Sequence, residues 1–160
     1  MANISVTDVQ GTKFYLVDTT VSITTPTNAA TAIAGGEELV CVQSIGDIGW
    51  TAAVNEYSCI DSNATSKSRG SVSLGNQELS LLFNALDTGG QDLLRTMALS
   101  GERKQLVVVL NDNAGVSPTY FFYTVFLSGQ TIPIAKDAAV LFNTTLEIAS
   151  FPEYILATAV

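Results

Sequence analysis

Histidine is absent from all 160 residues of this chain, which excludes Ser-His-Asp and Cys-His nucleophile arrangements and His-ligated zinc. The two cysteines, Cys41 and Cys59, are too few for a four-thiolate metal site,. No G-x-x-x-x-G-K-[ST] loop and no G-x-G-x-x-G after a strand offers a phosphate cradle,. Long hydrophobic runs are missing too, since none approaches the ~18 apolar residues of a membrane span. The opening Met1-Ala-Asn-Ile lacks the basic and apolar regions of a signal peptide,. The expectation is therefore a chain made in the cytoplasm without membrane insertion, with both cysteines as free thiols and Cys41 packed in the core.

Basic residues are scarce, with 7 Lys plus Arg against 15 Asp plus Glu and a net charge of -8. None lies between Lys13 and Lys67, whereas Asp18, Glu37, Glu38, Asp47, Glu56 and Asp61 all do. That part of the chain cannot grip a phosphate backbone, whose affinity for proteins comes from Lys and Arg displacing counterions.

Apolar residues are abundant at 47%, charged residues make up only 14%, and mean hydropathy is +0.32. One domain of residues 1–160 can bury a core without disulfides or metals. The excess of apolar surface points to burial between subunits.

Strand patterns dominate. Residues 13–18 form an aromatic and β-branched run, and 19–36 read as a strand end at Val21-Ser-Ile23 followed by a loop,. Residues 106–110 and 120–127 are apolar on both faces, as strands covered on both sides are. The Asn111-Asp-Asn-Ala-Gly115 turn makes them a hairpin,. Its Asn and Asp lack the twelfth-position Glu of a calcium loop. Across 138–150, Val140, Phe142, Thr144, Leu146 and Ile148 share a core face, leaving Asn143, Thr145 and Glu147 on a wet one,. A helix is expected from Thr88, with Thr88 and Gln91 as a capping box, Asp92 at the positive dipole end and Gly101 as stop. Its packing stripe is Leu93, Leu94, Met97 and Ala98,. Glu37 and Glu38 are the only adjacent acids, and on a strand they point to opposite faces, so they read as solvated rather than catalytic,.

The order of elements in the first two thirds carries a resemblance. Glu38-Leu-Val-Cys-Val-Gln-Ser-Ile45 reads as a strand and runs through Gly46-Asp-Ile-Gly49 into a polar loop at 50–68. Strand patterns at 69–74 and 77–83 flank Gly75-Asn76, and Asp87-Thr-Gly-Gly-Gln-Asp-Leu-Leu94 opens the helix. This order resembles the tail tube (major tail) proteins of long-tailed bacteriophages. The resemblance implies a mainly β fold of two packed antiparallel sheets, a sandwich or half-barrel, flanked by one α-helix. It implies a structural protein that needs no cofactor, polymerises as stacked hexameric rings into a hollow tail tube, and is found in the virion tail after assembly in the host cytoplasm. Its partners would be further copies, tail tip and tail terminator proteins, with DNA passing through the lumen unbound. On that reading the 50–68 loop is the arm that reaches the next ring, with Trp50, Tyr57 and Asp61 on it, and Asn143, Thr145 and Glu147 line the lumen. Residues 24–36 look like an added loop.

Three rival readings follow from the same residues. A tube component of a contractile injection system shares the fold and differs in its partner. A carboxylate-based glycan hydrolase needs two acids about 5 to 9.5 Å apart in a cleft. A monomeric β-sandwich binding module needs no self-association.

Overall fold

The computed structural model describes residues 10–61, 63–112 and 115–159. The expectations resting on residues 1–4 and on Asn113 lie outside them. Among the described residues twelve strands and two helices follow in order: β1 (Lys13–Asp18), α1 (Pro26–Ala34), β2 (Glu37–Glu38), β3 (Val42–Ile45), β4 (Thr51–Ser58), β5 (Thr65–Ser73), β6 (Asn76–Leu82), α2 (Gly90–Ser100), β7 (Lys104–Val109), β8 (Gly115–Ser117), β9 (Tyr120–Thr131), β10 (Leu141–Ile148), β11 (Glu153–Ile155) and β12 (Thr158–Ala159). All pairings are antiparallel.

The fold turns on β9. Its first half pairs with β7, which carries β1 and β2, and with β11; its second half pairs with β10, which carries β6 and β3. One 12-residue strand thus belongs to two sheet halves. Between them lies the main core, where Phe14 and Leu16 of β1 meet Leu79 and Leu81 of β6, Phe142 and Leu146 of β10, and Leu94 and Met97 of α2. Strand alternation sends Val17 and Val107 to the other face, where a second core forms with Ile23, Ala29, Ala32 and Tyr120,. β7 is apolar on both faces because each face is covered, as its pattern predicts.

Several expectations are corrected. Residues 26–34 are helical rather than loop: the Thr25 hydroxyl accepts from the Asn28 amide at 3.2 Å, and Pro26 occupies the first turn,. Ala29 and Ala32 then seat this short helix on β1, so two helices flank the sheet instead of one. The continuous strand at 38–45 is broken. Leu39 turns into the core while its amide bonds the Phe14 carbonyl at 2.8 Å, and Cys41 adopts φ 58 with its side chain exposed rather than packed. The 50–68 stretch is no loop but most of a hairpin, β4–β5, paired from Thr51↔Ser73 to Ser58↔Thr65.

Helix α2 stands where expected but is capped differently. Asp87, not Thr88, satisfies the first-turn amides, accepting from Gly89 at 2.8 Å and Gln91 at 3.2 Å. The Gln91 side chain is buried and bonds Asn84 and Leu82 instead of closing a capping box. Leu94 and Met97 are buried and Leu93 packs at the margin, whereas Ala98 faces solvent. Gly101 ends the helix at φ 70, a conformation glycine adopts without a Cβ clash,.

Candidate functional site

Two surfaces stand apart from the core. The first is the outer face of the sheet half β3-β6-β10-β9. In β10, Phe142, Thr144, Leu146 and Ile148 point inward, so Asn143, Thr145 and Glu147 are forced outward together,. Val140, assigned to the same inward set, precedes the strand and is exposed. Register sets Ser80 beside Asn143 and Glu78 beside Thr145, and Ser44 beside Ser80. A β-bulge shifts β9 between Thr145 and Leu146,. The Ser128 hydroxyl there donates to Glu147 Oε1 at 2.8 Å. Ser80 Oγ donates to Asn143 Oδ1 at 2.7 Å.

The outward residues just named carry hydroxyls, one amide and two carboxylates, with no Lys or Arg among them; the same register also brings Leu82, Leu141 and Phe126 to this face, and the Arg103 guanidinium lies over the Phe126 ring at 5.6 Å. A shallow depression of about 400 Å³ runs over Ser44, Ser80, Asn143 and Thr145. Glu37 and Glu38, the adjacent acids, lie exposed on β2. Among the described residues, no group of three or more Cys, Asp or Glu is placed to hold a metal.

The second surface is the β4–β5 hairpin, whose strands, among the described residues, pair only with each other. Glu56 and Lys67 form an ion pair at 2.7 Å across it, and Tyr57 and Asp61 are exposed on it. Trp50 stands at its root. The indole meets Phe151 edge-on with centroids 6.1 Å apart, and the Arg69 guanidinium lies over it at 4.7 Å,. Sequence reasoning singled out Trp50 but not Phe151 or Arg69, because no local spacing links residues so far apart.

No protein-family model and no curated protein sequence matches this chain. Solved structures do. The tail tube of SPP1 superposes with a TM-score of 0.64 at 13% identity, over 94% of this chain and 82% of that one. A chain of the sheath–tube complex of the extracellular contractile injection system PVC, in its extended state, gives 0.68 at 15%, over 94% and 92%. A chain of the tail of an empty GTA particle, refined with C6 symmetry, gives 0.59 at 13%, over 89% and 95%. The chain therefore has the tail-tube fold along nearly its whole length.

Proposed function

We propose that this chain is a structural tail tube subunit, six copies of which close a ring, with rings stacking into a hollow tube that conducts DNA. The observation that carries this is the tail-tube fold along nearly the whole chain, together with an outward row on β10, Asn143, Thr145 and Glu147, that itself holds no basic group. Duplex DNA presents one negative charge per ~1.7 Å of axis. A bore of hydrated hydroxyl, amide and carboxylate groups gives such a polyanion no place to stick.

Ring closure supplies what the monomer lacks. Among the described residues β3 and β2 are open sheet edges, and joining the sheets of neighbouring copies removes such edges. The contact is head-to-tail, different patches meeting on each copy. In this arrangement Asn143, Thr145 and Glu147 line the lumen and the β4–β5 hairpin is the arm to the next ring. The tail is the site of action, assembly takes place in the host cytoplasm, and tip and terminator proteins cap the ends. The role is mechanical rather than catalytic.

The likeness to a sheath–tube complex keeps a second reading, the tube of a contractile injection system, which differs in having a sheath around it. Negative-stain microscopy of the purified protein tests both: rings or tubes are expected, and a strictly monomeric species at high concentration overturns them. A sheath around tubes in native particles distinguishes the second reading from the first.

A further inference from the structure

The two legs of the β4–β5 hairpin are held unequally. On the leaving leg, Leu74 packs against the main core and the Gly75 carbonyl accepts from the Ile148 amide at 3.3 Å, directly before β6 begins. On the entering leg the last backbone pin among the described residues is Gly46, whose amide donates to the Glu78 carbonyl at 2.8 Å and whose carbonyl accepts from Gln77 Nε2 at 2.7 Å. Residues 47–50 then run exposed, in neither strand nor helix, and a Cβ added at Gly49 would meet nothing within 4 Å. A glycine in open space leaves this leg wide torsional freedom. At the end of that slack Trp50, half-exposed, meets the half-exposed Phe151 edge-on. Phe151 itself is firmly placed. Ser150 Oγ before it accepts from the Thr124 amide at 2.8 Å, the Ala149 amide donates to the Thr124 carbonyl at 2.8 Å, and Pro152 after it has a fixed φ,. Arg69 of β5 reaches the same indole, so Trp50 is tied to the hairpin as well as to the body.

We propose that Trp50 and Phe151 form a latch that fixes the direction of the hairpin on the single subunit, with the leaving leg at Leu74 as pivot and Gly49 as the slack that lets the hairpin swing when the latch opens. This goes beyond the tube reading and stands without it. The contact is built to open. Both rings remain half in water, so parting them exposes little further apolar surface, and one edge-on aromatic pair is weak enough for the released form to be populated. The hairpin can swing as a body, because its own strands stay paired from Thr51↔Ser73 to Ser58↔Thr65 and Glu56 and Lys67 bridge them. With the latch closed it points one way before it meets any partner, and so loses less freedom on contact.

Cys59, just past β4, and Leu99 on α2 are both exposed, and Trp50 is the only tryptophan in the chain. In a Cys41→Ser, Leu99→Cys background diluted with unlabelled protein, nitroxides at positions 59 and 99 report the hairpin-to-body distance by double electron–electron resonance. A narrow distance distribution is expected in this parent. Phe151→Ala is expected to broaden it, with a released population larger by roughly two- to tenfold, and to raise iodide quenching of Trp50. Phe151→Tyr, which keeps the ring, is expected to stay narrow and leave the quenching unchanged. Should Phe151→Ala fail to fold, Trp50→Leu, on the hairpin side of the contact, gives the same distance readout. Equal distributions in the parent and the variant that removes the contact, narrow or broad alike, overturn the latch. The readout does not depend on whether rings form, so failure of the latch and failure of the tube reading are told apart.

Discussion

The Tyr123 hydroxyl donates to Gln77 Oε1 across the core, joining β9 to β6, while Gln77 Nε2 donates to the Gly46 carbonyl at 2.7 Å. One buried amide thus ties both sheet partners to the chain that leads into the hairpin. Tyr123→Phe leaves Gln77 Oε1 without this donor, and an unsatisfied buried polar group costs about 1 to 3 kcal/mol. A denaturant midpoint equal to that of the parent would refute the assignment.

Burial pushes the Tyr123 hydroxyl well above the usual tyrosine range. A raised value means the folded state holds its proton where the unfolded state has lost it. This contribution to stability is therefore full below the unfolded tyrosine value of about 10 and is lost as pH rises through the folded one. Thermal melts from pH 8 upward are expected to show an alkaline fall that is shallower in Tyr123→Phe.

Leu94 is 0% exposed on the buried side of α2. Leu94→Ala is expected to destabilise by about 2 to 5 kcal/mol through lost burial and the cavity left behind. Leu99→Ala, on the exposed side of the same helix, serves as its control in urea unfolding and should lie near the parent.

Gly101→Ala forces an L side chain into the left-handed region, at a cost of roughly 1 to 2 kcal/mol. Gly49→Ala has no positive φ and open space around it, so its melting temperature should barely move.

Glu147 is only partly buried and its acceptor role to Ser128 is at the surface. Glu147→Lys is expected to leave folding and tube formation near normal while placing a ring of cations in the bore. Tubes or particles carrying it should retain duplex DNA at low salt and release it at high salt, since phosphate contacts weaken steeply with salt. DNA passage identical to the parent at low salt, with the variant subunit confirmed in the tube, would show that Glu147 does not face the lumen.

The sequence was legible where burial imposes a period. β10 alternates because one of its faces is core, and β7 does not because both are, so each strand and its facing could be read directly. The hairpin was misread for the same reason inverted: β4 and β5 have almost no buried face, hence no alternation, and their Ser, Thr and Asn resemble loop composition. Helix α1 carried a legible start in Thr25-Pro26, but nine residues with a two-alanine seat give too short a stripe to declare a period. At Cys41 the apolar pattern continues across a break that depends on Leu39 reaching the Phe14 carbonyl, a contact no local window contains. The expected Thr88 capping box does not form: the N-cap position is Gly89, Asp87 before it accepts from the Gly89 and Gln91 amides, and the Gln91 side chain is engaged with Leu82 and Asn84.

Strand β9 also decides how the subunit answers to force. A pull that separates the two sheet halves along β9 runs down a continuous covalent chain rather than across a seam of weak contacts. Opening the halves sideways instead peels side chains from the core around Leu81, Phe142 and Leu94 while β9 bends. The subunit is in this sense stiff along one direction and pliant across it, a grain that a filament built from it would inherit.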